Sequence, residues 1–212
     1  PSTGYGRLFI KKTDNYIYGT GYNGYGQLGS NNTTQLTSFT QLTGWGNTVK
    51  NVYPIGGQYG FTFFQKNDNS IWACGYNGQG QLGNATTVDQ STPVDVTTNW
   101  GGSTGSSRAI QKVVAGSSYN NALSTTAGGC QGQLGDGTTT NKSTPATPTN
   151  ISGLRISDVC GSGGGTYGSL MLLTTAGAIY HWGYNGFGQV GDTTTTNKTT
   201  PGTIYAGPFT RI

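Results

Sequence analysis

One nine-residue string, Gly-Tyr-Asn-Gly-x-Gly-Gln-(Leu/Val)-Gly, occurs at residues 21–29, 75–83 and 183–191, and a worn copy, Gly132-Gln133-Leu134-Gly135, lies between the last two. The Gly-Gln pair begins at Gly26, Gly80, Gly132 and Gly188, so the copies recur at nearly even intervals. A period of about 50 residues is one supersecondary unit, and such a unit buries its apolar side only against its neighbours. The 212 residues are therefore read as a row of four units, 1–55, 56–115, 116–161 and 162–212.

The same order of features surrounds each copy. A glycine-rich approach and an aromatic, Tyr5, Tyr59, Tyr119 or Tyr167, lead into an apolar strand such as Phe61 to Gln65 or Leu170 to Thr174. A short turn and a second strand follow, Ser70 to Cys74 or Ala178 to Trp182, so the pair reads as a hairpin. After the glycine string comes a Thr/Asn-rich loop and then a strand opened by proline at Pro93, Pro145 or Pro201, where a missing N–H is tolerated at a strand start or a sheet edge. A last apolar stretch, Val49 to Ile55, Ile110 to Ala115 or Ile156 to Cys160, completes about four short strands per period. That is the content of one propeller blade. Composition agrees: 38 Gly, 35 Thr and no Glu leave few strong helix formers and favour an all-β fold.

Within the string, the glycines supply positive φ, Asn23, Asn77 and Asn185 can cap turns, and Leu28, Leu82, Leu134 and Val190 can plug into a core. The amides of Gln27, Gln81, Gln133 and Gln189 are expected to satisfy backbone groups that a tight loop leaves unpaired.

The pattern of an apolar hairpin, a Gly-x-Asn-x-x-Gly-Gln-Leu-Gly loop, a Thr-rich segment and Thr-Pro-Val resembles the regulator of chromosome condensation repeat, over almost the whole chain. The resemblance implies a β-propeller, usually of seven blades, of which four are counted here. Residues 1–10 begin inside a repeat, and Phe209 to Ile212 stop where another apolar strand is expected. This predicts a segment of a longer chain, or several chains sharing a ring.

Two departures stand out. Members of the family often carry histidine where this chain has Tyr5, Tyr59, Tyr119 and Tyr167. The stretches from Tyr5 to Gly26, Tyr59 to Gly80 and Tyr167 to Gly188 are equally long, but the one from Tyr119 to Gly132 is shorter by the length of a strand and its turn. The shortfall reads either as a lost strand whose bare edge a neighbour must cover or as a stretch missing from the sequence, the second being favoured.

Little here carries covalent chemistry. The single histidine, His181, reads as a side chain on a sheet face, and no nucleophile elbow or paired carboxylates occur among seven Asp. No enzymatic activity and no cofactor are expected. Gly135-Asp136-Gly137-Thr138 and Gly191-Asp192-Thr193 read as turns, because the alternating oxygen ligands of a calcium loop are missing. Cys74, Cys130 and Cys160 are too widely spaced for a zinc site, and read as small buried hydrophobes. The net charge of +4 comes from scattered Lys and Arg, which is no footprint for a nucleic acid. No apolar run approaches the length of a membrane span.

The function expected is therefore a non-enzymatic binding or structural module of an extracellular assembly, such as a phage tail or fibre or a bacterial surface protein, contacting other proteins or a cell-surface receptor or glycan through its loops. A homo-oligomeric or virion assembly fits the same reading. Candidate contact residues are those that vary inside the string, Tyr25, Gln79 and Phe187, with Tyr22, Tyr76 and Tyr184 beside them, and Trp45 and Trp100 in longer loops. An inhibitor-like propeller that occludes an enzyme is the alternative. The nucleotide-exchange activity of the family's namesake maps onto no residue here.

Overall fold

The computed structural model describes residues 2–4, 6–56, 59–99, 113–116, 119–122, 125–126, 131–162 and 167–212. All regular elements among the described residues are strands. The first sheet contains β1 (Ser2–Gly4), β2 (Arg7–Lys11), β3 (Ile17–Gly21) and β4 (Leu36–Gln41). The second contains β5 (Val49–Ile55), β6 (Phe61–Lys66), β7 (Ile71–Gly75) and β8 (Gln90–Asp95). The third is shorter, with β9 (Val113–Gly116), β10 (Tyr119–Ala122) and β11 (Thr125–Thr126). The fourth holds β12 (Ile156–Ser162), β13 (Ser169–Thr174), β14 (Ile179–Gly183) and β15 (Lys198–Tyr205). Each sheet is an antiparallel meander in chain order, and β1, β5, β9 and β12 neighbour one another in turn. The sheets are thus blades 1 to 4 of a propeller, set side by side at their first strands.

The hairpins form where the sequence expects them, and the turn chemistry shows why. In blade 1 the amide of Asn15 donates to Lys12 O at 3.0 Å and that of Tyr16 to Asp14 Oδ1 at 3.0 Å. Blade 2 repeats this with Asn69 on Lys66 O at 3.0 Å and Ser70 on Asp68 Oδ1 at 2.9 Å. Aspartate closes the turn through its side chain, and the asparagine after it tolerates the left-handed backbone, at φ 68° and 67°.

The period of the sequence and the period of the sheets are offset by one strand. The apolar stretch Val49 to Ile55, which ends the unit 1–55, pairs with Phe61–Lys66 and so opens blade 2. β12 does the same for blade 4. Pro93 and Pro201 lie inside β8 and β15 rather than at their starts. Each is on the outermost strand, where one side of the backbone needs no partner.

The third blade carries three strands among the described residues, not four. Its β11 spans two residues, and residues 141–148 run without strand pairing. A fourth strand needs a third to pair with, and two residues offer little edge. The rest of the shortfall region, together with Tyr5, Trp100 and Cys130, lies outside the described residues.

Blades bury their faces against one another. Phe9, Ile17, Leu28 and Leu42 of blade 1 share a core with Phe64 and Cys74 of blade 2. β6 is buried at five consecutive positions, Phe61 to Gln65, as expected of a strand covered on both faces. β2 instead alternates, with Arg7 and Phe9 buried and Leu8 43% exposed. Among the described residues, blade 1 is covered by another blade on one face.

Candidate binding face

The glycine strings follow β3, β7 and β14 and so emerge at one end of the blades. Each is organised by its asparagine. Asn77 is fully buried; its Nδ2 donates to Asn84 Oδ1 at 3.0 Å, Thr86 O at 3.0 Å and Val88 O at 3.1 Å, while its Oδ1 accepts the Leu82 amide at 2.8 Å. Asn23 and Asn185 hold the equivalent groups, with the Leu28 and Val190 amides also at 2.8 Å. One amide thereby gathers the whole Thr/Asn loop. The glutamines behave as the sequence suggests: Gln27, Gln81, Gln133 and Gln189 accept the amides of residues 25, 79, 131 and 187 at 2.8 to 2.9 Å.

The loop of each of the first three blades also docks on the blade that follows. Gly26, Gly80 and Gly132 have φ of 78°, 78° and 84°, and a Cβ on them would lie 2.3, 2.6 and 2.6 Å from the Cα atoms of Ser91, Ser143 and Thr199. Only glycine combines that backbone with that approach. Hydrogen bonds complete the contact. Thr62 Oγ1 donates to Gln27 O at 2.6 Å, the Ala85 amide to Ser143 O at 2.8 Å and the Gly137 amide to Thr199 O at 2.9 Å.

These junctions account for three of the candidate residues, Tyr25, Tyr76 and Gln79. Tyr25 leans across from blade 1, its ring 5.7 Å from Tyr59 and 5.3 Å from Tyr76, which are 5.2 Å apart. Loss of water around the Tyr25 hydroxyl, followed by the nearby phenols and the Asp89 carboxylate, pushes its pKa up. Gln79 accepts a hydrogen bond from Asn141 across the next junction, and Gln131 one from Asn197 across the third. Tyr184 packs against Tyr167 at 4.9 Å and Phe187 at 5.9 Å. Tyr22 is half-buried in blade 1. Phe187 is 85% exposed.

Trp45 leaves the list of contact residues. Its ring stacks on Phe64 at 4.3 Å, its indole N–H donates to Gly29 O at 3.0 Å, and it is 5% exposed. An indole with an apolar neighbour and a carbonyl within reach is drawn into the core. The aromatics that sequence reasoning left out are Tyr59 and Tyr167, 56% and 62% exposed. Their signal was present, as the tyrosines that recur ahead of each apolar strand.

Arg7 was also missed. It is buried between blades 1 and 2, with Nη2 donating to Ile55 O at 2.8 Å and Phe61 O at 3.5 Å, and burial lowers its pKa to about 10. Phe61 and Ser169 hold its register position in blades 2 and 4, so no periodicity marks it in the sequence.

The remaining ionisable groups hold structure. His181 Nδ1 faces Val190 O at 3.1 Å and Nε2 faces Ser169 Oγ at 3.0 Å, which fits the neutral ring with its proton on Nδ1. Burial lowers its pKa. Lys198, then Thr194 and Asn185, hold the Asp192 carboxyl well below its usual range. Cys74 is fully buried and Cys160 partly so. No group of three potential metal ligands occurs among the described residues. The groove near Phe9, Lys11, Val49 and Tyr53 lies toward the hairpin end of β2 and is lined by no carboxylate; Lys11 Nζ there donates to Val49 O at 2.8 Å. The face of the glycine loops offers non-covalent contact through aromatic rings and amides.

Residues 68–123 match the regulator of chromosome condensation (RCC1) repeat. The matched window runs from the β6–β7 turn of blade 2 to the end of β10 in blade 3, and so is offset from the sheets. The chain is 31% identical over 124 residues to the ultraviolet-B receptor UVR8 of Arabidopsis thaliana, covering 58% of this chain and 27% of the receptor. It is 27% identical over 198 residues to the human E3 ubiquitin-protein ligase HERC2, covering 90% of this chain and 4% of the ligase. The chain thus spans a small part of the curated relatives. Its fold superposes on human WBSCR16 with a TM-score of 0.65 at 17% identity, over 96% of this chain and 52% of that one.

Proposed function

We propose that this chain is a non-enzymatic protein-binding module, and that its contact surface is the aromatic end of the blades. The observation that carries the reading is the Tyr25–Tyr59–Tyr76 cluster at the first junction, repeated in kind by Tyr167 and Tyr184 on blade 4. Tyrosine gives large amphipathic contact area at low entropic cost, and exposed aromatics at a rigid loop end suit a protein partner. An extracellular assembly, such as a phage tail or fibre or a bacterial surface structure, is the setting that the composition favours. With 8% charged residues and no Glu, the loops present hydroxyls and amides instead of charge.

A photo-crosslinking side chain at Tyr59 or Tyr167, compared with one at Asp14 or Asn67 in the hairpin turns at the opposite end, tests the reading in the assembled particle or at the cell surface. One discrete adduct from the aromatic end alone supports it. Equal labelling from both ends sinks it. The exposed rings favour one second reading, occlusion of an enzyme, which inhibition of a β-lactamase by the purified chain would reveal.

A further inference from the structure

The junctions between blades are closed in two different ways at one place. Asn197 Oδ1 accepts the Asn185 amide of its own blade at 2.8 Å, while its Nδ2 crosses to Gln131 of blade 3. Asn141 Nδ2 crosses likewise to Gln79 of blade 2. At junction 1–2 the same two places hold Asp89 and Tyr25. Asp89 Oδ1 accepts the Asn77 amide at 2.7 Å, so its Oδ2 falls where Asn197 carries a donor. Loss of water, then neighbouring phenols and this carboxylate, push the Tyr25 pKa up, in keeping with a carboxylate turned toward that ring. The loop carboxylates of the next blades already have cations, Asp136 with Lys142 at 3.4 Å and Asp192 with Lys198 at 2.5 Å. Blade 2 has Asn84 and Gln90 in those places, and Asp89, which is exposed, has no ion-pair partner among the described residues.

We infer that junction 1–2 holds an arginine side chain of a partner protein, its guanidinium stacked on the tyrosines and paired with Asp89. The inference rests on the aromatic end being the contact surface, and it names the group that surface takes. Tyr25, Tyr59 and Tyr76 have ring centroids 5.2 to 5.7 Å apart, too close to enclose a cation between them. A cation therefore lies on their outer faces, of which that of Tyr59, 56% exposed, is the most open. A positive charge over a tyrosine face is drawn by the ring quadrupole. A guanidinium adds a flat surface for stacking and a fork of N–H donors for a carboxylate, and an ammonium has neither. Every residue of the site lies between β3 and β8, on two consecutive blades.

The test is a titration of the labelled full chain with an acetylated and amidated Gly-Arg-Gly peptide, followed by NMR at the amides of Tyr25, Tyr59 and Asn77, the last of which reports on Asp89 directly. Saturable shifts at these amides are expected, and the same peptide with citrulline, uncharged but of the same shape, should produce none. Asp89→Asn keeps the acceptor for the Asn77 amide and copies Asn197, so it should fold like the parent. It should nevertheless weaken binding of the arginine peptide at least about tenfold, as loss of a charged hydrogen-bond partner does. Tyr25→Gln added to Asp89→Asn rebuilds the amide pair of the other junctions and should abolish the shifts. Citrulline or lysine peptides that bind as tightly as the arginine peptide overturn the inference, as does arginine binding that is unchanged in Asp89→Asn or absent in the parent. Crosslinking from Tyr59, repeated in Asp89→Asn, separates the inference from the reading beneath it. Adducts that fall about tenfold with the charge support both. Undiminished adducts overturn the arginine and leave the aromatic end as the contact surface, and a parent with no adduct from Tyr59 overturns both.

Discussion

The glycine loops of blades 2 and 4 are the same inside and different outside. Asn77 donates to Thr86 O at 3.0 Å and Val88 O at 3.1 Å, and Asn185 to Thr194 O at 2.9 Å and Thr196 O at 3.1 Å, while each accepts its backbone amide at 2.8 Å. Yet Gly80 presses on Ser143, while among the described residues the nearest atom to a Cβ at Gly188 is Thr194 O of its own loop, at 3.8 Å. The loop's shape is therefore set within its own blade, and docking is added to a loop already formed. Even Thr193 keeps the left-handed backbone, φ 65°, of its counterpart Ala85, although a β-branched residue is costly there. The asparagine network holds that residue without help from a neighbouring blade.

The largest effect should come from breaking what the two loops share. Asn77→Ala and Asn185→Ala each strand a buried amide and two carbonyls, and should each cost about 2 to 4 kcal/mol in urea denaturation. A much smaller cost at Asn185 would mean that the loop shape depends on docking after all. Next comes what they do not share. Gly188→Ala should cost about 1 kcal/mol for its left-handed backbone. Gly80→Ala should cost that and about 1 to 3 kcal/mol more from overpacking on Ser143. Equal losses would argue against a close contact at junction 2–3.

A third comparison uses pH, since blade 4 has His181 where blade 2 has Ala73. Burial lowers the folded pKa of His181, so below the unfolded value of about 6.5 the unfolded chain binds the extra proton first. Stability should then fall as pH drops from about 7.5 to 5, and His181→Ala should flatten the slope. A slope unchanged by the substitution would place its origin in the carboxylates. The smallest effect belongs to the exposed bond between Gln79 and Asn141. Gln79→Leu should cost about 0.5 kcal/mol, and adding Asn141→Leu should cost almost nothing further by a double-mutant cycle.

The glycine string could be read from sequence because its chemistry is local. Asn23 and Gln27 reach groups within eleven residues, and a short-range repeat displays such bonds directly. The strand count of the complete blades was legible for the same reason, as the hairpin turns of blades 1 and 2 are written in Asp-Asn pairs and that of blade 4 closes at Gly177. The phase of the sheets was not. Val49 to Ile55 could pair with the strand before it or the strand after it, and composition does not decide. Trp45 was ambiguous because the partners that bury it, Phe64 and Gly29, are distant along the chain. The exposure of Leu8, Phe39 and Phe187 was least legible, since these side chains are as apolar as those of the core.

The one-strand offset between repeat and sheet bears on how such an array lengthens. A tandem duplication starting at any point in the period inserts one whole set of strands in the right order, and the loose strand at one breakpoint completes the sheet at the other. Recombination sites need not respect sheet boundaries, so copy number can drift without each event having to rediscover a foldable unit.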